Sequence, residues 1–377
     1  NRGSRMWSHG SIIIIFMLQK NLRRGWTTGA CATAASKAAF IGLVTGKCPD
    51  IVTIKLPNGQ SPKFNIAYQD VTQQSVSAGV IKDAGDDPDV TDGLLIISKI
   101  VKRNDQNGIY FKAGNGVGTV TLPGLPLDVG EPAINPGPRK MIEDNLKKLS
   151  IAKNNLNVDI IIEVPEGKEI SKQTWNERLG IINGISILGT TGIVIPFSCS
   201  AWIHSIHRGI DVAIKTNTLH IAACTGSVSE KAAKKEYNLP PQSMIDMGDF
   251  VGGMLKYLKK NTVPRVTIAG GFAKLLKLSQ GEMDLHSSRS QVNLEKLRSE
   301  IKKLDPNNSD HVELRKISTA NQCLSILGPK KYELAKNVAV AAQDVVVKYL
   351  KKDSVSIDIM IVDRTGDILA KIESRDA

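Results

Sequence analysis

The sequence lacks the features that identify several large classes of protein. Its five cysteines are odd in number and form no C-x-x-C pair, which argues against a disulfide framework and a structural zinc site and favours a reducing, cytoplasmic location. Only 5% of the residues are aromatic, too few for a surface that stacks single-stranded nucleic acid. The apolar run Ile12–Leu18 is far shorter than the roughly 20 residues of a membrane span. No G-x-G-x-x-G stands between a predicted strand and helix, which argues against an oxidoreductase that binds a dinucleotide.

Positive charge is the unusual bulk property of the chain. Lysine and arginine number 49 against 37 aspartates and glutamates, a formal net charge of +12. Such a balance suits a polyanionic partner: nucleic acid, an anionic membrane, or a small substrate with several carboxylates. The lysines are scattered over predicted polar helix faces, so a solvated basic surface explains them as well. A nucleic-acid-binding protein without catalysis stays as the alternative function, and its binding would weaken steeply with salt.

The length of 377 residues suits two domains. We predict a leader outside the fold at 1–19 and an α+β domain of two layers at 20–165. Its predicted elements include a helix at Ala30–Ile41, a hairpin at Asn58-Gly59 and a second hairpin around Gly114–Gly118. From Val158 onward strands and helices alternate, which predicts an α/β, Rossmann-like parallel-sheet domain at 166–377. Its C-terminal strands are candidates for a return to the first domain, and 282–310 is predicted to be a polar linker.

Glycine-bearing turns follow three predicted strands of the second domain, at Gly189–Gly192, Thr225–Ser227 and Gly270-Gly271. Because the carboxyl ends of parallel strands share one edge, we expect all three to converge on one crevice, where helix N-termini favour a ligand carboxylate or phosphate. Glycines that only permit tight turns are the simpler alternative, and Asp249 is either a ribose ligand or a helix N-cap. The predicted ligand-binding residues are Gly184, Ser186, Gly189, Thr190, Thr191, Gly192, Thr225, Gly226, Ser227, Asp249, Gly270 and Gly271.

A second group of polar residues could contact a substrate. Five aspartates lie between 83 and 92, without the ligand order of a calcium loop, and form either a solvated turn or a seat for a cationic ligand. Two threonines begin the first helix, where they either cap it or help to bind an anion. The group consists of Thr27, Thr28, Lys82, Asp83, Asp86, Asp87, Asp89, Lys274, His286 and Ser287. We predict no metal site, since His204 and His207 lack a third ligand, and no catalytic residue is assigned.

Six sequence blocks carry the most specific signal. They read LRRGWTTGACATAA (22–35), KDAGDDPDVTDG (82–93), GNGVGTVTLPGLPLDVGEPAINPGPRKMI (114–142), RLGIINGISILGTTGIVIPFS (178–198), MGDFVGG (247–253) and LLKLSQG with HSSRS (275–290). In this order they resemble the CbiD family of cobalt-precorrin-5B C1-methyltransferases. The resemblance implies transfer of a methyl group from S-adenosylmethionine to C1 of a cobalt-bound corrinoid in anaerobic cobalamin (vitamin B12) biosynthesis. It further implies the methyl donor at the glycine turns, a corrinoid as the small-molecule partner, no nucleic-acid or membrane partner, and leaves a homo-oligomer open.

Overall fold

The computed structural model describes residues 22–104, 108–149, 156–304, 318–351 and 354–374. The predicted leader at 1–19 lies outside these residues, as does the end of the predicted polar linker. The chain divides into two compact units. The first runs to Thr121 and then from Pro126 to Ser198, and the second consists of Leu122–Leu125 and the chain from Cys199 onward.

A five-stranded sheet and two helices form the centre of the first unit. The strands lie in the order β4-β5-β6-β9-β7, and every pair is antiparallel except β7 with β9. Their bounds are β4 Tyr68–Val71, β5 Ser75–Ile81, β6 Leu95–Lys102, β7 Gly108–Ala113 and β9 Asn157–Glu163. Helix α1 (Thr28–Thr45) packs on β5 and β6, and α2 (Pro136–Lys147) packs on α1. Small alanine side chains allow α1 to be buried on nearly all sides between these neighbours.

The first unit also contains three short strand pairs. They are β1 (Gly25–Trp26) with β11 (Ile193–Val194), β2 (Ile51–Thr53) with β3 (Lys63–Asn65), and β8 (Thr119–Val120) with β10 (Ile181–Ile182), all antiparallel. A short helix, α3, spans Gly167–Ser171. The β2–β3 pair confirms the hairpin predicted at Asn58-Gly59.

The hairpin predicted around Gly114–Gly118 is wrong. Strand β7 pairs in parallel with β9, and β8 pairs with β10. The glycines serve close backbone approach instead: a Cβ at Gly116 would overlap the carbonyl oxygen of Val164.

The second unit is built on a five-stranded sheet with the order β13-β12-β14-β15-β16. Its strands are β12 His220–Cys224, β13 Met244–Asp246, β14 Arg265–Gly271, β15 Ser356–Val362 and β16 Ile368–Ile372, and only β16 is antiparallel to its neighbour. The helices are α4 Cys199–Lys215, α5 Ser227–Tyr237, α6 Val251–Leu258, α7 Phe272–Ser279, α8 Leu294–Leu304, α9 Ala320–Leu327 and α10 Lys331–Leu350. Counted within this unit, the strand order is 2-1-3-4-5, so the order of strands reverses between the first and the third. The mixed α/β class is therefore confirmed.

Two expectations about the second half of the chain need correction. Residues 166–198 cluster with the first unit, where Ile185 and Ile187 are buried in its core and β11 pairs with β1. The turn Gly189–Gly192 therefore does not follow a strand of the parallel sheet, and the prediction that all three turns leave strands of one sheet is wrong. The predicted linker contains α8, because Leu297 and Ile301 give it one buried face.

Candidate functional site

A cavity of about 590 Å³ lies at the carboxyl ends of β12 and β14. These strands are the first and third of the second unit, and between them the strand order reverses. Ligands of open α/β sheets bind at this reversal, because the loops that leave neighbouring strands diverge there. The residues around the cavity come from four places: the start of α5, the start of α7, the β15–β16 turn, and α9 with α10. They include Thr225, Gly226, Ser227, Val228, Gly271, Phe272, Lys274, Asn321, Leu324, Ser325, Lys331, Val362, Asp363, Arg364 and Thr365.

Two glycines leave the main chain exposed to this cavity. A Cβ at Gly226 or Gly271 would meet no atom within 4 Å, so the main chain at both turns is accessible. Gly270 has another role, since a Cβ there would overlap Leu275 in the packed interior. The first N–H groups of α5 and α7 have no acceptor within their own helices and give the cavity partial positive charge. Two of the three predicted glycine turns thus lie together at this site.

Lys274 joins the loops that follow three parallel strands. Its Nζ donates a hydrogen bond to the carbonyl oxygen of Thr225 at 2.8 Å and lies 3.0 Å from Asp249 Oδ1. Thr225 follows β12, Asp249 follows β13, and Lys274 itself follows β14. Asp249 does not cap α6, whose N-cap is Phe250, so pairing with Lys274 is its structural role. The charge of Lys274 is balanced within the protein.

The turn between β15 and β16 supplies the other charged groups. Asp363 Oδ1 accepts hydrogen bonds from the backbone of Thr365, Gly366 and Asp367 and from the Thr365 hydroxyl, at 2.7–2.9 Å. Burial alone would raise the pKa of Asp363, but these hydrogen bonds outweigh it and hold the pKa below its usual value. Within the described residues, Arg364 and Lys331 form no ion pair.

At the start of α1, where anion binding is one of the two predicted roles, the chain itself satisfies the threonine hydroxyls and backbone N–H groups. Thr27 Oγ1 accepts a hydrogen bond from Ala30 N at 3.1 Å, and Gly29 N donates to the carbonyl oxygen of Leu188 at 2.9 Å. Thr28 Oγ1 accepts from Leu188 N at 3.0 Å. Gly189 is required here because a Cβ would overlap Thr27, and its φ is +115°. The two threonines and this turn hold each other in place.

The neighbouring predicted residues also have structural partners in the first unit. Asn176 donates to the Gly184 carbonyl oxygen at 3.0 Å and accepts from Ser186 Oγ at 3.1 Å. Gly192 packs against Leu56, while Thr190 and Thr191 are exposed. Contacts between residues 184–192 and a methyl donor stay a prediction.

The acidic loop binds its own chain. Lys82 is buried, and its Nζ lies 2.7 Å from Asp89 Oδ2. Asp83 forms an ion pair with Arg23, Asp86 Oδ2 accepts from Arg23 N at 2.6 Å, and Asp87 Oδ1 accepts from Phe197 N at 2.8 Å. These contacts fix the loop, and a role in substrate binding stays a prediction.

Other candidates lie outside the cavity. His286 and Ser287 are exposed in the second unit and do not line it. His207 stacks on Tyr257, with ring centroids 3.9 Å apart. In the part of the chain that the structure describes, no three histidine, cysteine, aspartate or glutamate side chains cluster as metal ligands. None of the helices described there combines the length and apolar character that crossing a membrane requires.

Sequence reasoning missed the wall of the cavity formed by α9, α10 and the β15–β16 turn. In the sequence, Arg364-Thr365-Gly366 indicates only a turn, because a pattern of strands and helices does not give the order of strands in a sheet. Only that order brings the last hairpin beside β14.

Comparisons with known proteins agree over most of the chain. The CbiD family model matches residues 17–196, and the model of the CbiD C-terminal domain matches 284–373. The chain is 50% identical to the cobalt-precorrin-5B C(1)-methyltransferase of Brucella anthropi, over 93% of this chain and 96% of that protein. It is 49% identical to the enzyme of the same name from Paramagnetospirillum magneticum, over 93% and 98%. A crystal structure of the cobalamin biosynthesis protein (cbiD) from Archaeoglobus fulgidus is 29% identical, with a TM-score of 0.39 over 71% of this chain and 83% of that one. The chain belongs to the CbiD family.

Proposed function

We propose that this protein is a cobalt-precorrin-5B C1-methyltransferase of cobalamin biosynthesis, acting in the cytoplasm, and that its methyl donor is S-adenosylmethionine. The second unit serves in this proposal as a Rossmann-like domain that holds the donor in the cavity beside Gly226 and Gly271. The names of relatives about 50% identical support the reaction. The observation that carries the donor site is the cavity at the reversal of strand order.

The residues around the cavity fit such a donor. A volume of 590 Å³ lies within the range of about 300–1,000 Å³ that is usual for small-molecule sites. Phe272, Leu324 and Val362 offer apolar surface for a nucleoside. The exposed main chain at Gly226 and the first N–H groups of α5 offer donors for a carboxylate or for hydroxyl oxygens.

The bound donor supplies a methyl group already activated on a sulfonium. The protein then needs mainly to position the two reactants, and orientation alone accounts for a large part of such rate enhancements. Lys274 keeps the loops after β12, β13 and β14 in one arrangement, so that the cavity is formed before ligand enters. A corrinoid with several carboxylates is attracted by the net positive charge of the chain.

Titration calorimetry on the full-length protein tests the donor site. Wild type is expected to bind both S-adenosylmethionine and S-adenosylhomocysteine. Gly226→Ala and Gly226→Val place successively larger side chains in open space, at an extended φ of 162° that any residue adopts. We expect affinity to fall a few-fold for Ala and about tenfold or more for Val, a loss near 1.4 kcal/mol, while the urea midpoint stays at the wild-type value.

Two results would overturn the proposal. If wild type binds neither compound, with or without corrinoid, S-adenosylmethionine is not the methyl donor of this protein. If wild type and both Gly226 variants bind these compounds with equal affinity, the donor does not bind in this cavity. Methyl transfer to a cobalt-corrinoid by wild type, measured by mass spectrometry, tests the reaction itself.

A further inference from the structure

We infer that Lys331 and Arg364 bind the carboxylate of the methionine portion of the donor and thereby select ligands that carry it. This inference rests on the proposed function. It adds that the ligand must carry a carboxylate at the end remote from the nucleoside. Neither residue belongs to the glycine turns, and both come from the C-terminal part of the chain.

The balance of charge in the cavity points to an anionic group. Three cationic side chains line it, Lys274, Lys331 and Arg364. Asp249 balances the first, at 3.0 Å. The carboxylate of Asp363 is turned to its own loop, where one oxygen accepts four hydrogen bonds. Among the residues the structure describes, Lys331 and Arg364 are left with no carboxylate partner.

Both cations are carried by well-ordered local structure. Arg364 is in the turn that Asp363 closes, between paired strands β15 and β16. Lys331 begins α10, a helix of 20 residues whose buried face packs in the main core of the second unit. The closed turn fixes the backbone from which the Arg364 side chain extends, and the paired N–H groups of a guanidinium match the two oxygens of a carboxylate.

The rest of the wall, where the proposed function places the nucleoside, is largely apolar. Leu324, Val362 and Leu369 line the same cavity and are buried apolar side chains, while Asn321 and Ser325 add neutral hydrogen-bonding groups. Because an apolar surface strengthens nearby charge interactions, a carboxylate placed between the two cations is bound more strongly here than at an open surface.

A carboxylate could also come from the side chains of the corrinoid, and a pair of probes separates the two sources. S-adenosylhomocysteine carries the amino-acid carboxylate, and methylthioadenosine keeps the nucleoside and sulfur but lacks that group. Calorimetry is run with both probes on full-length wild type, Arg364→Met, Lys331→Met and the control Lys336→Met. Lys336 is an exposed lysine of α10 that does not line the cavity.

We expect Arg364→Met and Lys331→Met each to weaken S-adenosylhomocysteine about tenfold or more, the scale of one hydrogen bond to a charged group. Methylthioadenosine should change by less than about twofold, and Lys336→Met should leave both affinities unchanged. Arg364→Lys, which keeps the charge but not the paired donors, should lie between Arg364→Met and wild type. A wild-type urea midpoint in each variant shows that the fold is intact.

The outcomes separate the two proposals. If wild type binds both probes and the variants weaken them equally, or weaken neither, this inference is overturned while the donor site stands. A raised KM for the corrinoid without any loss of S-adenosylhomocysteine affinity assigns the cations to the corrinoid and also overturns it. If wild type binds neither probe, the donor site falls and this inference falls with it.

Discussion

At the scale of single residues, Lys82 and Asp89 show how a charged motif can be structural. The Lys82 side chain is 1% exposed and that of Asp89 25%. Asp89 Oδ1 accepts hydrogen bonds from Thr91 N at 2.8 Å and from Thr91 Oγ1 at 2.6 Å. Burial by itself raises the pKa of Asp89, but the charge of Lys82 and these hydrogen bonds outweigh it and hold the pKa below its usual value.

That lowered pKa predicts a pH dependence of stability. Because the pKa of Asp89 is lower in the folded than in the unfolded protein, its contribution is complete above about pH 4 and is lost as pH falls through the folded value. Asp89→Asn leaves the Lys82 ammonium buried without a counter-charge, so we expect a loss of about 3 kcal/mol at neutral pH. Urea unfolding between neutral pH and about pH 3 should show a shallower acid decline for this variant than for wild type.

Asp128→Asn is the matched control, since Asp128 is exposed. It should follow the wild-type profile. Parallel profiles for Asp89→Asn and wild type would contradict the assigned role of the pair.

At the scale of elements, α9 depends on its first residues. It has only eight residues, and short helices rely on capping and packing. Thr319 Oγ1 accepts from Gln322 N at 3.3 Å, and Gln322 Oε1 accepts from Thr319 N at 3.0 Å, so each satisfies a backbone donor. This helix carries Asn321 and Ser325 to the cavity.

Removing that cap should loosen the helix selectively. Thr319→Ala is expected to cost about 1 kcal/mol, which corresponds to roughly fivefold faster amide exchange in α9 where local opening controls it. Thr319→Ser keeps the hydroxyl and should exchange at the wild-type rate. Hydrogen-exchange mass spectrometry measures both, and equal rates for Ala and Ser would show that the cap contributes nothing.

The elements also show where sequence patterns are sufficient. The helix predicted at Ala30–Ile41 is confirmed within α1, because alanine propensity and packing agree there. The apolar run Ile185–Leu188 looks like a strand, but only isolated bridges form, from Ile185 to Val117 and from Ile187 to Ile134. Ile185 and Ile187 are buried without forming a strand, and periodicity cannot distinguish a buried loop from a buried strand.

At the scale of the whole molecule, the two units have separate cores. One hydrophobic cluster is built from residues between Ala30 and Ile187, and two others from residues between Ile206 and Ala370. The strand order of the second unit was not readable from the sequence, because adjacency in a sheet depends on long-range pairing. The glycine turns of the candidate site were therefore predictable from the sequence. The position of Lys331 and Arg364 beside the cavity follows only from the fold.

Separate cores predict an uneven response to ligand. Saturating S-adenosylhomocysteine should slow amide exchange most at the starts of α5 and α7 and in the β15–β16 turn. Peptides of α1, β5 and β6 should change little, since ligand stabilises the conformations it contacts. Hydrogen-exchange mass spectrometry of the full-length protein is the measurement, and protection centred on the first unit would contradict the assignment of the site.

The segment Leu122–Leu125 groups with the second unit although it precedes most of that unit by more than seventy positions. Gly124 lies against α4 so closely that a Cβ would be 2.6 Å from Val212 Cα. A gene cut between codons 198 and 199 would therefore not separate two self-sufficient modules. Chimeras that exchange the second unit between homologues need to carry this tetrapeptide with it, and recombination between them is constrained at two places in the reading frame.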